Sequence, residues 1–280
     1  MREIDVSKIK DAVTELSLKA NFELRKDILK ALKAGVKKET NVRARNILKS
    51  VIENAKLAKA RRIAICQDTG MAVVHLEIGQ EVALCGGSLK DAVNAGVEEA
   101  YRKGCLRKSV VGHPLLRNNT GTNTPAMTFI DIVEGDRLKI TVSPKGFGSE
   151  NKSMIKMFRP TDSVEEIKRF VIEVALKAGP DACPPFVLGV GIGGTFEQCA
   201  YLAKKALMRP IDERSPDKHI ARLERELLKE LNSLGIGPMG LGGKTTALGV
   251  NIIEAPTHIA ALPVAVNVSC HATRSAEKTL

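Results

Sequence analysis

From residue 6 to about residue 59 the apolar positions recur at helical spacing, in "VSKIKDAVTELSLKA", "FELRKDILKALKAG" and "NVRARNILKSVIENAKLAKA". Beyond residue 60 the pattern breaks into short β-type runs interleaved with further helices. This switch constrains the chain most, because strands that alternate with helices bury their apolar faces in a layered α/β arrangement. We therefore expect an α/β fold, with a helical N-terminal region followed by mixed sheets flanked by helices. Early strands are expected at "RRIAIC", "MAVVHLEIG" and "EVALC", and Ser88 with Asp91 reads as a capping box for the helix "LKDAVNAGVEEAYRKG". "AMTFIDIV" and "RLKITVSP" around "EGD" suggest a hairpin, and "SVEEIKRFVIEVALKAG" a capped helix closed by Gly179. "FVLGVGIGG" reads as a strand running into glycines, followed by the helices "FEQCAYLAKKALM" and "DKHIARLERELLKELNSLG" and the late strands "LGVNIIEA" and "VAVNVSC". No internal repeat or linker interrupts the sequence, so residues 1–280 read as a single domain.

With 280 residues and 44% apolar side chains, the chain is long enough to bury a substantial core. It is charged from its second residue, and no apolar run approaches the roughly 18 residues of a membrane span, so a cytoplasmic protein is expected. Six cysteines without tight spacing read as reduced thiols rather than a disulfide framework. A net charge of +11 suits nucleic acid, an acidic partner or small anionic substrates. Aromatic residues at 3%, with two Tyr and no Trp, weigh against nucleic acid, because base-stacking platforms are scarce. The Lys and Arg are also interleaved with Glu, as in "RLERELLKEL", which describes a solvated helical face.

Two glycine-rich stretches imitate nucleotide sites. "GVGIGG" at residues 189–194 fits GxGxxG after a strand, yet no second strand ending in an acidic residue follows its helix. A glycine turn that lets strand and helix pack closely is the better account. "GIGPMGLGGKTT" ends like a phosphate-binding loop, but the first glycine of that motif falls at Pro238 and a strand follows instead of a helix. It reads as a loop lining a cleft or as a structural turn.

Cys85, Cys105 and Cys199 sit in contexts that suit small core side chains. Cys66 in "ICQDTG", Cys183 in "DACPPF" and Cys270 in "VNVSCHATR" lie instead at element boundaries beside polar or proline residues, where ligands are found. Their wide separation matches no zinc-finger or ferredoxin spacing.

Taken together, "CQDTG", "GGSLKDAVNAGVEEAY", "HPLLRNNTGTNTPA", "PKGFGSENKS", "CPPFVLGVGIGGTFEQC", "GIGPMGLGGKTTALGVNI" and "APTHIAALPVAVNVSCHATR" resemble the α subunit of the class I fumarate hydratases. The resemblance runs over roughly residues 5–275 and extends to the related two-subunit L-tartrate dehydratases. It implies a [4Fe-4S] cluster held by Cys66, Cys183 and Cys270, with one iron left open as a Lewis acid for the substrate's carboxylate and hydroxyl. It also implies that Gln67 and Asp68 contact substrate, Asp68 accepting or relaying the proton of the hydroxyl held there. The plain alternative for Asp68 is an Asx-type turn before Thr69 and Gly70. By the same resemblance His258 orients Asp68 or shuttles its proton, while His271 shapes the surroundings of the cluster. Arg107 in "CLRKSVV" matches an arginine that grips a substrate carboxylate, with Arg102, Lys108 and Arg117 close by in the alignment. Gly146, or else Gly148, matches a glycine whose backbone approaches the substrate.

Single-chain members of that family continue into a second domain with further arginines, a lysine and a hydroxyl residue that close over the substrate. This sequence ends at Leu280, so the resemblance implies a separate β subunit supplying those groups, and homo-oligomerisation of α or of αβ pairs. The expected reaction is the reversible hydration of fumarate to (S)-malate, a small dicarboxylate. L-Tartrate dehydration is the nearest alternative. Readings of other classes are a nucleotide- or nucleic-acid-binding module built on the glycine loops, and a structural zinc protein using the same thiolates.

Overall fold

The helical spacing over residues 6–59 resolves into α1 (Val6–Phe22), α2 (Lys26–Lys38) and α3 (Val42–Arg61), preceded by a strand β1 (Arg2–Asp5) that no periodicity announced. A computed structural model describes all of residues 1–280. It continues with β2 (Met71–Gly79), β3 (Val82–Cys85), α4 (Leu89–Lys103), β4 (Met127–Val133), β5 (Leu138–Lys145), α5 (Phe147–Glu150), β6 (Met154–Phe158) and α6 (Val164–Ala178). Then follow β7 (Phe186–Gly193), α7 (Phe196–Ala206), α8 (Lys218–Ser233), β8 (Ala247–Ala255), β9 (Leu262–Ser269) and β10 (Ala276–Thr279). These form two units. The first comprises Met1–Arg25, Asn54–Phe147 and Arg274–Leu280, and the second Lys26–Glu53 and Gly148–Thr273. No helix is long and apolar enough to cross a membrane.

In the first unit β1 pairs with β3, and a four-stranded sheet takes the order β10-β5-β2-β4. The core lies where α1 and α4 meet this sheet, through Val13, Leu16, Val93, Val97 and Tyr101 against Val74, Leu76, Ile140 and Val142. The expected β4–β5 hairpin does not form. β2 is buried along almost its whole length and gains most from a neighbour on each side, so it runs between them, parallel to β4 and antiparallel to β5. The "EGD" turn folds onto the end of β2, where Gln80 N donates to Val133 O and Gly79 N to Arg137 O, each at 2.8 Å.

"RRIAIC" is not a strand either. α3 absorbs Arg61, and the remainder is a connector with no ladder. Ile65 N donates to Asn21 O at 3.0 Å, and Ile65 O accepts from Asn54 Nδ2 at 2.8 Å. Ser88 does cap α4, its Oγ accepting from Asp91 N at 3.3 Å. The complete reciprocal box forms at Ser163, whose partner Glu166 has the extra methylene needed to reach back to Ser163 N, at 2.7 Å.

The second unit holds a sheet of order β6-β9-β7-β8 with helices on both faces. The period of two in "FVLGVGIGG" assigns those faces. Phe186, Leu188 and Val190 join the core built by α6 and α8. Gly189 and Gly191 face α7, where an added Cβ would stand 2.1 Å from Ala203 O and 2.2 Å from Cys199 O. The glycines of the false dinucleotide motif thus serve close helix–strand packing.

The false phosphate loop carries a different device. Glu39, 1% exposed, accepts from Thr40 N (3.0 Å), Asn41 N (3.2 Å) and Lys244 N (2.8 Å), and from Thr245 Oγ1 (3.4 Å). The loop amides that imitate an anion site therefore hold a carboxylate of the chain itself. Burial pushes this carboxyl up, but the backbone donors of Asn41, Lys244, Thr40 and Thr245 together outweigh it and hold it below its ordinary 4.5. Its stabilising effect is full above that ordinary value and is lost as pH falls through the lower folded value. Glu39→Gln is expected to lower stability at pH 7 by about 1–3 kcal/mol, because donors lose their acceptor. In urea unfolding followed across pH, the gap from wild type should close as acid protonates Glu39. A gap independent of pH would refute this account.

Candidate active site

The loop Cys66–Gly70 joins α3 to β2 in the first unit, and Thr69 and Gly70 are buried within it. Buried peptide groups need partners. Thr69 O accepts from Tyr101 Oη at 2.6 Å, Gly70 O from Asn123 Nδ2 at 3.1 Å, and Asp68 O from a guanidinium Nη of Arg274. Burial pushes the Tyr101 hydroxyl up to about 12, so it remains a donor at physiological pH.

The Asp68 carboxylate is fixed just as firmly. Oδ1 accepts from Gly70 N at 3.0 Å and Oδ2 from Phe147 N at 2.8 Å. The first bond is the Asx turn weighed from the sequence. The second brings Asp68 to the end of β5, where a Cβ on Gly146 would stand 3.1 Å from Oδ2. Gly70 has φ +71 and runs so close to Lys145 that a Cβ would lie 2.6 Å from its backbone. Thr69 Oγ1 donates to Arg107 O at 2.6 Å, which brings the exposed Arg107 to the same loop. Gln67 is exposed, with Oε1 3.3 Å from Cys66 Sγ. The first unit therefore gathers Cys66, Gln67, Asp68, Arg107 and Gly146. Arg102, Lys108 and Arg117 are exposed beyond this set. Gly148 belongs to the second unit, near Asp181 O.

The second unit gathers Cys183 and Cys270. Cys183 follows a 3-10 turn with left-handed backbone, φ 51, and its carbonyl faces His271 N at 3.2 Å and His271 Nδ1 at 3.1 Å. That places the Cys270–His271 segment against Cys183. His258 is not with them. Val187 pairs with Ser269 at one end of the sheet and Gly193 with Ala255 at the other, and His258 lies in the β8–β9 loop beyond that second end. At about 3.3 Å per residue, the two ends are roughly 20 Å apart. His258 is exposed, and its Nδ1 accepts from Ala260 N at 3.2 Å.

The thiols differ as ligands. Cys66 and Cys270 are partly exposed, Cys183 is exposed, and none is in a disulfide. Cys199 is fully buried, its thiol is pushed up to about 11 by burial, and it donates to Gly191 O. Cys85 is half-buried, and Cys105, expected in the core, is exposed because it follows the end of α4 with φ 49. Accessible thiols at Cys66, Cys183 and Cys270 fit the donor chemistry of an iron–sulfur centre. No group of three or more His, Cys, Asp or Glu side chains is assembled to hold a metal ion. Two of the expected ligands come from the second unit and one from the first.

Sequence reasoning missed Tyr101, Asn123 and Arg274. Arg274 stood in the quoted "SCHATR", and its flanks of small residues were the signal that it lies in a packed interior. The family profile described as Fumarate hydratase (Fumerase) matches residues 10–279. A Methanocaldococcus jannaschii protein provisionally named L(+)-tartrate dehydratase subunit alpha is 45% identical over 279 residues, covering 98% of each chain. Proteins of Escherichia coli and Shigella boydii, both named L(+)-tartrate dehydratase subunit alpha, are 32% identical over 272 residues, 96% of this chain and 89% of theirs. The chain belongs to the fumarate hydratase (Fumerase) family.

Proposed function

We propose that the chain is the α subunit of a cytoplasmic hydro-lyase that interconverts fumarate and (S)-malate together with a β subunit. The observation that carries this reading is the doubly anchored Asp68 carboxylate, set beside Arg107 and Gly146 in a chain of this family. The partner is inferred from relatives named as alpha subunits, and both units are read as one functional domain because the family match runs through both. The relatives' names favour a second reading, in which the substrate is L(+)-tartrate.

Cys66, Cys183 and Cys270 would hold the [4Fe-4S] cluster. Such a cluster, when bound, supplies a Lewis acid at an iron without a protein ligand. The rest falls to side chains. Both Asp68 oxygens are held by backbone N–H groups, so from a fixed position Asp68 takes a proton from the adding water in hydration and returns it to the departing hydroxyl in dehydration. Arg107 binds one carboxylate as a planar fork, and Gln67 donates beside it. Gly146 leaves space against Asp68 that a side chain would fill. The opposite carboxylate and the C3 proton are assigned to groups of the β subunit, which also excludes water from the cleft.

His258 exchanges a proton with Asp68 in this reading. A cluster held by Cys183 and Cys270 would lie at one end of the second sheet, and His258 lies at the other. The histidine is therefore assigned to the site of a second copy in a homo-oligomer.

Three outcomes test the reading. Anaerobic reconstitution with iron and sulfide should give a brown protein, lost in Cys66→Ser, Cys183→Ser or Cys270→Ser and kept in Cys199→Ser; iron binding by all four variants would remove the ligand assignment. Loss of fumarate or L(+)-tartrate should be slow with the α chain alone and rapid once its β subunit is added. Full turnover by α alone would overturn the two-subunit site, and the preferred acid decides between the two substrates. Finally, Asp68→Asn and His258→Asn α chains, each inactive, should recover up to about a quarter of wild-type activity when mixed as random two-fold dimers. No recovery would place His258 outside the neighbouring site.

A further inference from the structure

Three consecutive carbonyls of the site loop, those of Asp68, Thr69 and Gly70, are each taken by a side chain from a different part of the first unit. Arg274 holds the first, Tyr101 of α4 the second and Asn123 the third. All three side chains lie in the interior, with Arg274 4% exposed and Tyr101 and Asn123 fully buried. Each is also committed elsewhere. Arg274 Nε points at Pro144 O, at 3.4 Å, so one guanidinium spans the site loop and the strand end that leads to Gly146. Asn123 Oδ1 accepts from Ser109 N at 2.7 Å, which ties the Arg107 segment to Gly70. Tyr101 reaches Gly70 O as well, at 3.3 Å.

Arg274 is the least expected of the three. It is a buried cation with no carboxylate in salt-bridge contact, and its Nη1 has no partner at all. Burying a charge that way is costly, and a neutral donor would satisfy a single carbonyl at less expense. What a neutral donor lacks is the rigid fork that reaches two carbonyls on separate segments at once.

We infer that Arg274, Tyr101 and Asn123 are positioning residues that set Asp68 for proton transfer, with Arg274 locking the Asp68 and Gly146 segments together. The inference rests on the catalytic reading of Asp68. The cradle acts through the backbone and touches no reacting atom. Its loss displaces the carboxylate, which slows chemistry, while Arg107 continues to bind substrate.

The test uses the full α chain with its β subunit, comparing Arg274→Met, Arg274→Lys, Tyr101→Phe and the wild type. Val97→Ala, a fully buried core change in α4, serves as the stability control. Arg274→Met and Tyr101→Phe are expected to lower kcat about 10- to 100-fold with KM little changed, the scale on which a small misplacement of a reacting group slows chemistry. Arg274→Lys should recover part of this, since an ammonium reaches one carbonyl but not both. Hydrogen–deuterium exchange of the peptide spanning residues 66–72, measured on the α chain alone, should quicken in the Met and Phe variants and stay slow in Val97→Ala. The inference is overturned if exchange in that peptide is unchanged, or if kcat falls only as far as it does in an equally destabilised Val97→Ala. If wild type turns over neither acid, the hydro-lyase reading fails on its own account, and the exchange comparison still decides whether the cradle holds the loop.

Discussion

A loop that passes through a protein interior cannot leave its peptide groups unpaired, and most of what surrounds the site follows from that obligation. The stretch Cys66–Gly70 is too irregular to pair with a sheet, so its carbonyls draw donors from α4, from the turn at Asn123 and from Arg274. The bond from Thr69 Oγ1 to Arg107 O and the bond from Phe147 N to Asp68 extend the same logic outward. The Asp68 carboxylate at the centre of such a net is held in one place, since a satisfied polar network is stiff.

The layered α/β architecture was legible in the sequence because hydrophobic periodicity is local, and so were the boundary cysteines, the Asx turn at Asp68 and the packing role of Gly189 and Gly191. Strand pairing was not, because it is settled by non-local competition. The three residues of "EGD" invite a hairpin, yet the more buried β2 claims both neighbours. "RRIAIC" has the apolar content of a strand but pairs with none. The cradle residues were invisible for a related reason. Tyr101 resembles any core aromatic on a helix, and only the fold aims its hydroxyl at the site loop.

The two glycine motifs carry a lesson about mimicry. In both, glycine does what physical chemistry says it does, allowing close approach and opening backbone amides. The partner differs from the one the motif names. At Gly189 and Gly191 it is a helix of the same unit, and at the Lys244 loop it is the carboxylate of Glu39. A loop whose anion site is already filled from within has become a latch between the end of α2 and the start of β8.

The discontinuity of the first unit bears on how the protein is made. Its sheet takes β10 from residues 276–279, paired with β5 at residues 139–142, and everything between Gly148 and Thr273 belongs to the other unit. On the ribosome the second unit has all of its segments before the first does, even though the first supplies the opening residues. The β5 edge must wait, uncovered, through the synthesis of more than a hundred residues, and Arg274 arrives with the strand that covers it. Closing the sheet and clamping the site loop are thus a single late event in the life of the nascent chain.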